Sequence, residues 1–459
     1  MARTKAVLKS DIRVTDCISL GVLTRFIPRS TIDDILRTTG TESRRERLLP
    51  AHVVVYYVLS LALFMNVETR EVLRWLVEGL KWLTGGAGIK VAGKSGISQA
   101  RTRLGWQPMQ AVYDRVVHPV AGRATKGACY RKWKLVSVDG SVFDVADTKE
   151  NAAAFKRPKA SRGRSAFPQM RTVALVENGT HVLFGARMAD CRTSEATLAR
   201  DVLHTLKAGM LCLADRYYAS YGLWTLATAT GADLLWRVAK HWTLPCIERL
   251  SDGSYISEIY PSTHDRRHKK NAVRVRVIEY KLAGLETNGE TYRLITTILD
   301  PERAPARELA ALYHQRWEIE IALDELKTHL RGNKIVLRSK TPDLVRQEFY
   351  GLMLTHFAIR ALMYEAASKE DVDPDRLSFT HTVRVVRRKL QRFTAALSPS
   401  GLDHVAPGGH SGDPRSKTSE AKRPAESAGC KAENVELPTT NTKNDEDGSS
   451  KLADPCQNT

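Results

Sequence analysis

Apolar positions change period along this chain, and each change marks a different kind of element. Up to about residue 125 they fall at helical spacing. Leu48 to Met65 is almost wholly apolar, which predicts one buried helix. Val72, Leu76, Leu80 and Leu83 recur every three or four positions on a second, stopped by Gly85 and Gly86. Ser95 can cap a short helix carrying Gln99, Arg101 and Arg103, and Pro108 suits the first turn of the next. The two meet at Gly105 in the outline of a helix-turn-helix.

Near Lys134 the period shortens. LVSVDGSVFDV, residues 135–145, reads as a strand or bent strand pair. Arg171–Glu177 and Thr180–Ala186 read as a hairpin joined by Asn178-Gly179, a two-residue turn signal. A helix is predicted over 194–207, a short buried strand over 210–214, a helix over 220–230 and a strand over 232–239. Hairpin strands followed by alternating helices and strands predict a mixed α/β sheet. Residues 240–300 break the rhythm: Asp252-Gly253 marks a turn, 272–280 and 291–299 read as strands, and no helix is predicted. Helical spacing returns over 311–330, 344–367 and 377–396. From Pro399 the chain is polar and rich in Gly, Ser, Pro, Asn and Asp, the composition of a disordered tail.

At 459 residues there is chain enough for several domains. The organisation expected is a helical segment 1–125, an α/β domain 130–370 with a β-rich insertion at 240–300, helices over 371–398 and a tail 399–459. Lys and Arg number 70 against 51 Asp and Glu, and the tail holds 7 basic and 10 acidic residues, so the excess lies on residues 1–398. That excess predicts a polyanionic partner, most simply nucleic acid, without saying which sequence. Seven cysteines with no CxxC pair, and 13 histidines without metal-ligand spacing, argue against a disulfide framework or a zinc site. The longest apolar run, Val53–Phe64, is too short to span a bilayer, and the N-terminus lacks a signal-peptide pattern. A soluble, cytoplasmic protein with no membrane partner is expected.

The candidate chemistry lies on ALYHQRWEIEIALDELKTHL, residues 311–330. With no Gly or Pro inside, it predicts one helix, on which Tyr313, Arg316, Glu320 and Lys327 fall within an arc of roughly 60°. A carboxylate framed by two cations and a phenol suits a phosphate backbone. Asp139, after the apolar run Leu135–Val138, and Asp215, ending Met210–Ala214, sit where strand-end carboxylates can join Glu320 around hard cations. Asp324, one turn beyond Glu320, is a rival that ideal helix geometry does not separate. Basic runs at Lys156, Arg157, Lys159, Arg162 and Arg164, and at Arg266, Arg267, Lys269 and Lys270, suit non-specific DNA contact.

Tyr-x(2)-Arg-x(3)-Glu-x(6)-Lys, matched residue for residue by Tyr313, Arg316, Glu320 and Lys327, resembles the signature of one branch of the DDE transposases of bacterial insertion sequences. VDGS at 138–141 and ADRYY at 214–218 resemble the family's two aspartate motifs. LLPAHVVVYYVLSLALF followed by REVLRWLVEGL resembles its N-terminal domain. The likeness covers roughly 40–390; Tyr217 stands where glycine or asparagine is more usual, and the tail resembles nothing in the family. The resemblance implies a ribonuclease-H-like catalytic domain interrupted by a β insertion, behind an all-helical N-terminal domain. It implies cutting and joining of transposon ends within a synaptic dimer. Two Mg²⁺ ions, which Mn²⁺ can replace, would be held by Asp139, Asp215 and Glu320. Arg316 and Lys327 would then grip phosphates and Tyr313 the DNA backbone. Trp317 could stack a displaced base, with Trp236 or Trp242 as alternatives.

Two rivals remain open at this level. Gly88–Ser95, GIKVAGKS, satisfies the P-loop pattern, with Asp139 as a Walker B acid, although a helical rather than a strand pattern precedes it. The chain could also be a DNA-binding repressor or a catalytically inactive remnant.

Overall fold

The computed structural model describes residues 22–43, 49–81, 92–158, 167–282, 291–332, 336–392 and 435–436. In chain order come helices α1 (Val22–Phe26), α2 (Arg29–Thr38), α3 (Ala51–Leu63), α4 (Thr69–Lys81), α5 (Lys94–Leu104) and α6 (Gln107–Val116). Then follow β1 (Cys129–Tyr130), β2 (Trp133–Asp144), α7 (Lys149–Phe155), β3 (Gln169–Glu177), β4 (Val182–Asp190), α8 (Glu195–Leu203), β5 (Met210–Ala214), α9 (Tyr221–Thr228) and β6 (Asp233–Arg237). Next are β7 (Glu248–Arg249), β8 (Tyr255–Ile259), α10 (Thr263–Arg267), β9 (Val273–Leu282), β10 (Tyr292–Thr296) and α11 (Ala306–Tyr313). The described elements end with α12 (Glu318–Asp324), α13 (Pro342–Lys369), α14 (Phe379–Arg392) and β11 (Val435–Glu436).

The sheet runs β4-β3-β2-β5-β6-β10-β9-β8-β7. β2, β3 and β4 are antiparallel; β5 and β6 then join parallel to β2, with α8 and α9 as crossovers. Methionine, leucine, cysteine and alanine on β5 are buried on both faces, as a central parallel strand requires. Residues 240–300 do not form a sheet of their own. Leu294, Ile295 and Thr296 on β10 pair with Arg237, Trp236 and Leu235, so β10, β9, β8 and β7 continue the main sheet beyond β6. A helix that the pattern did not predict, the five-residue α10, starts where Ser262 accepts from the Asp265 amide.

Helices at the two ends of the chain pack together. α3 is buried nearly all round, which is why its sequence shows no polar face. Its C-terminal carbonyls are met by guanidinium groups from far along the chain: Arg338 donates to Met65 O at 3.0 Å and Arg387 to Leu63 O at 2.6 Å. α5 begins after Gly93, and Ser95 does not cap it. Its Arg101, expected on a DNA-reading helix, is buried against α13, donating to Gln347 Oε1 at 2.7 Å and Ser339 Oγ at 3.1 Å. Arg101 therefore braces the interior instead of facing a ligand.

Two local differences shape the site. The β3–β4 connection is four residues, Asn178 to His181, and all four are buried. Gly179 has φ +78°, and a Cβ there would lie 2.5 Å from the Lys126 carbonyl oxygen, so only glycine fits. Residues 306–330 are helical throughout but not uniformly wound. α11 tightens into a 3₁₀ turn at His314–Trp317, relaxes into α12, and widens into a π turn at Glu325–Leu330. Most of the tail lies outside the described residues; Val435 and Glu436 pair with Leu282 and Lys281. Among the described residues no helix is long and apolar enough to cross a membrane.

Candidate active site

Strand register brings the two aspartates side by side. β2 and β5 pair in parallel from Lys134↔Met210 to Ser137↔Leu213, so two residues further Asp139 is level with Asp215. Neighbouring strands lie about 4.8 Å apart. At Asp215 the chain leaves the sheet: its Oδ1 accepts from the Tyr217 amide at 2.7 Å, a side-chain turn that fixes the carboxylate at the strand tip.

α12 supplies the third carboxylate. Arg316, in the 3₁₀ turn, reaches both ways: Nη2 lies 3.1 Å from Glu320 Oε1 and Nη1 3.8 Å from Asp139 Oδ2. Burial pushes the Asp139 carboxyl up to about 6; the Gly140 amide and Arg316 oppose the rise, and the nearby Asp215 and Glu320 charges add to it. An anion so placed favours a cation beside it, and an all-carboxylate oxygen set suits a hard divalent ion. Arg316 supplies part of that positive charge here. Among the described residues the three carboxylates do not close into a group with all ligand atoms within 4.8 Å.

The other predicted residues fall into three sets. Lys327 is at the same edge: Nζ donates to Ser141 Oγ at 3.1 Å, two residues past Asp139, and burial lowers its pKa. Trp317 is 50% exposed, with the Arg316 guanidinium 5.5 Å from its ring centroid. Tyr313 differs from the expectation. The tight turn after it leaves the ring buried, and its hydroxyl donates to Ala214 O at 3.3 Å, so it holds the strand tip before Asp215 and is not presented to a DNA backbone. Trp236 is also corrected: it is fully buried, edge-on to Trp224 at 5.3 Å. Trp242 is partly buried. Asp324, the rival to Glu320, is exposed and paired with His329 at 3.4 Å, and its other oxygen accepts from Thr328. Arg157 pairs with Asp147, while Arg162 and Arg164, with Lys159, lie outside the described residues.

Residues the sequence did not single out complete the surroundings. Glu195, first on α8, packs against Gly140; a Cβ on that glycine would sit 2.4 Å from its carboxyl carbon. The Tyr218 hydroxyl donates to Glu195 Oε2 at 3.3 Å, so a fourth carboxylate borders the aspartates. The hairpin turn braces the helix from behind: Asn178 Nδ2 donates to Gln315 O at 2.9 Å, and the Gly179 amide donates to the Glu318 carboxylate. Glycine after the first aspartate and Asn-Gly at the turn were visible in the chain, but their partners were not.

The P-loop reading fails. Lys94, which would have to reach phosphate, is ion-paired with Glu68 at 2.7 Å, and residues 82–91 lie outside the described residues.

An acid within β2, another at the tip of the adjacent β5 and a helix-borne glutamate, on a sheet with three antiparallel and then two parallel strands, fit a ribonuclease-H-like fold. Two family models match: the insertion element 4 transposase N-terminal model over residues 17–114 and the transposase DDE domain over 132–358. The chain belongs to the insertion element 4 family of DDE transposases. It is 28% identical over 389 residues to transposase InsG for insertion sequence element IS4 of Escherichia coli (strain K12), covering 83% of this chain and 85% of that protein. It is 26% identical over 234 residues to the putative transposase InsZ of the same strain, covering 51% and 74%. A cryo-EM structure of the piggyBac transposase synaptic complex with hairpin DNA is similar at TM-score 0.44 and 10% identity, covering 84% of each chain.

Proposed function

We propose that Asp139, Asp215 and Glu320 are the metal-holding acids of this transposase, and that they cut the terminal repeats of an insertion sequence and join them to target DNA. The observation that carries this assignment is Arg316, which touches both Asp139 and Glu320 while the β2–β5 register sets Asp215 beside Asp139. Two Mg²⁺ ions, or Mn²⁺ in their place, would supply Lewis acidity at the scissile phosphate and lower the pKa of the attacking water or 3′-hydroxyl.

The chain's own groups do the rest. Arg316, drawn off the carboxylates, offers a planar fork to a phosphate oxygen, and Lys327 adds a second cation at the same edge. Tyr313 keeps the β5 tip, and with it Asp215, at fixed height. Trp317, half out of the surface, is placed to stack a base beside the cut. Helices within 1–125 would bind the transposon ends, residues 130–370 would form the catalytic domain, and β7–β10 would be the β-rich insertion between the second and third acids. Two copies would pair in the synaptic complex, in the cytoplasm and on the nucleoid.

Incubating a labelled transposon end with Mg²⁺ or Mn²⁺ tests the assignment. Asp139→Ala, Asp215→Ala and Glu320→Ala should each bind the end with near wild-type affinity and lose cleavage by a factor of 10² or more, on the order of one lost transition-state contact. Cleavage retained by any one of them removes that residue from the set.

A further inference from the structure

We infer that His181, Glu318 and Asp375 form a second divalent-cation site, of the zinc type, behind the helix that carries Glu320. Three separate segments meet there: the buried hairpin turn (His181), the first residue of α12 (Glu318), and the short 3₁₀ turn Pro374–Arg376 (Asp375). One ligand atom from each lies within 4.8 Å of the others. His181 Nε2 is 3.3 Å from Asp375 Oδ1 and 3.9 Å from Glu318 Oε2. Around a tetrahedral ion with bonds near 2.1 Å, neighbouring ligand atoms are about 3.3 Å apart. The first distance already matches, and the second closes with a small side-chain movement.

The imidazole itself points to a ligand. His181 is 3% exposed, yet Nε2 has no hydrogen-bond partner. Its other nitrogen, Nδ1, lies 3.4 Å from Glu325 Oε1, the arrangement that orients a metal-binding histidine through a carboxylate on its far side. Arg360 Nη2 also lies against Nδ1 while its Nε and Nη2 donate to Glu325; the site requires the tautomer with the Nδ1 hydrogen turned to Glu325 and the Nε2 lone pair free. His356 approaches Glu325 from the opposite side at 3.4 Å. Glu318 and Asp375 set two carboxylate oxygens beside the imidazole nitrogen, a donor set that a dication satisfies. One nitrogen and two carboxylates favour zinc or a similar transition ion over Mg²⁺ or Ca²⁺, which prefer larger all-oxygen shells. Asp375 is exposed and so opens the site to an entering ion and a water ligand.

Placement says what the ion would do. Glu318 and Glu320 are two residues apart on α12, so they point to nearly opposite faces. The same turn would be pinned at its back by the ion and would present Glu320 to Asp139 at its front.

The test uses the full-length chain stripped with EDTA, titrated with Zn²⁺, and with Co²⁺ as a visible reporter of coordination. Wild type and Asp139→Asn should each bind one tight equivalent with the absorption of a nitrogen-containing, low-coordinate site, and binding should raise the thermal midpoint. His181→Asn should weaken that equivalent at least tenfold. Asp375→Asn, at an exposed position where folding is safe, should do the same. A wild-type chain with no such equivalent, or one whose affinity is unchanged in Asp375→Asn, overturns the site. Either result overturns it whatever the outcome for DNA cleavage.

Discussion

At the residue scale, Asp139 carries the most consequential electrostatics. Its carboxyl is pushed up to about 6 from the usual 3.8, first by burial. An acid with a raised folded pKa binds protons more readily folded than unfolded, so its ionisation costs stability as pH rises from about 4 to about 6. Metal binding needs the anion and strengthens over the same rise. Asp139→Asn should therefore stabilise the metal-free protein at neutral pH, by on the order of 1 kcal/mol, and flatten its stability between about pH 4 and 6. Thermal melts in EDTA across that range check this; a wild type as stable as the variant above pH 6 contradicts it. The two aspartates were legible because each ends an apolar run, but only Asp215 sits at a strand tip; Asp139 lies inside β2, which runs on to Asp144. Tyr313 was not. Its predicted exposure assumed uniform winding, and a 3₁₀ turn beginning at the next residue leaves it facing the core.

At the scale of elements, the β3–β4 turn and the helix of residues 306–330 act as one piece, joined through Asn178 to Gln315 and Gly179 to Glu318. Gly179→Ala would force an L side chain into φ +78° and against the Lys126 carbonyl. A loss of about 2–3 kcal/mol in stability is expected from denaturant unfolding. Cleavage of end DNA should fall further than end binding, measured by gel shift, because the turn braces the glutamate helix; equal losses would break the connection. Local patterning disclosed the central elements, including β5 to the residue and helices beginning near Ser194 and Ser220, but not α7, α10 or β8. Pairing was another matter. That β10 would lie beside β6, extending the main sheet, depends on tertiary contacts between Ile295 and Trp236 that no period encodes. Likewise, Asn-Gly read as a two-residue turn; the connection is four residues long, and its burial comes from the helix that covers it.

At the scale of the whole molecule, charge and connectivity dominate. The formal charge of +19 predicts DNA binding that weakens steeply with salt. Between about 50 and 200 mM salt the affinity for end DNA should fall by a factor on the order of 10³, if roughly six phosphates are neutralised. Replacing Arg266, Arg267, Lys269 and Lys270, on and after α10, should flatten that dependence in anisotropy titrations without sequence preference. Affinity nearly independent of salt would remove electrostatics as the grip. Composition made this property plain from the outset, but it could not reveal that α3 and α5 are tied to the segment carrying α13 and α14 through Arg101, Arg338 and Arg387.

The distance along the chain between the acids has a consequence for synthesis. Asp139 leaves the ribosome some 180 positions ahead of Glu320, a delay of roughly 10–40 s at ordinary elongation rates. Once residue 215 has followed, the nascent polypeptide holds both aspartates but neither the glutamate nor Arg316. On the assignment proposed above, a stalled or truncated product ending before residue 316 would lack the third acid and leave DNA uncut.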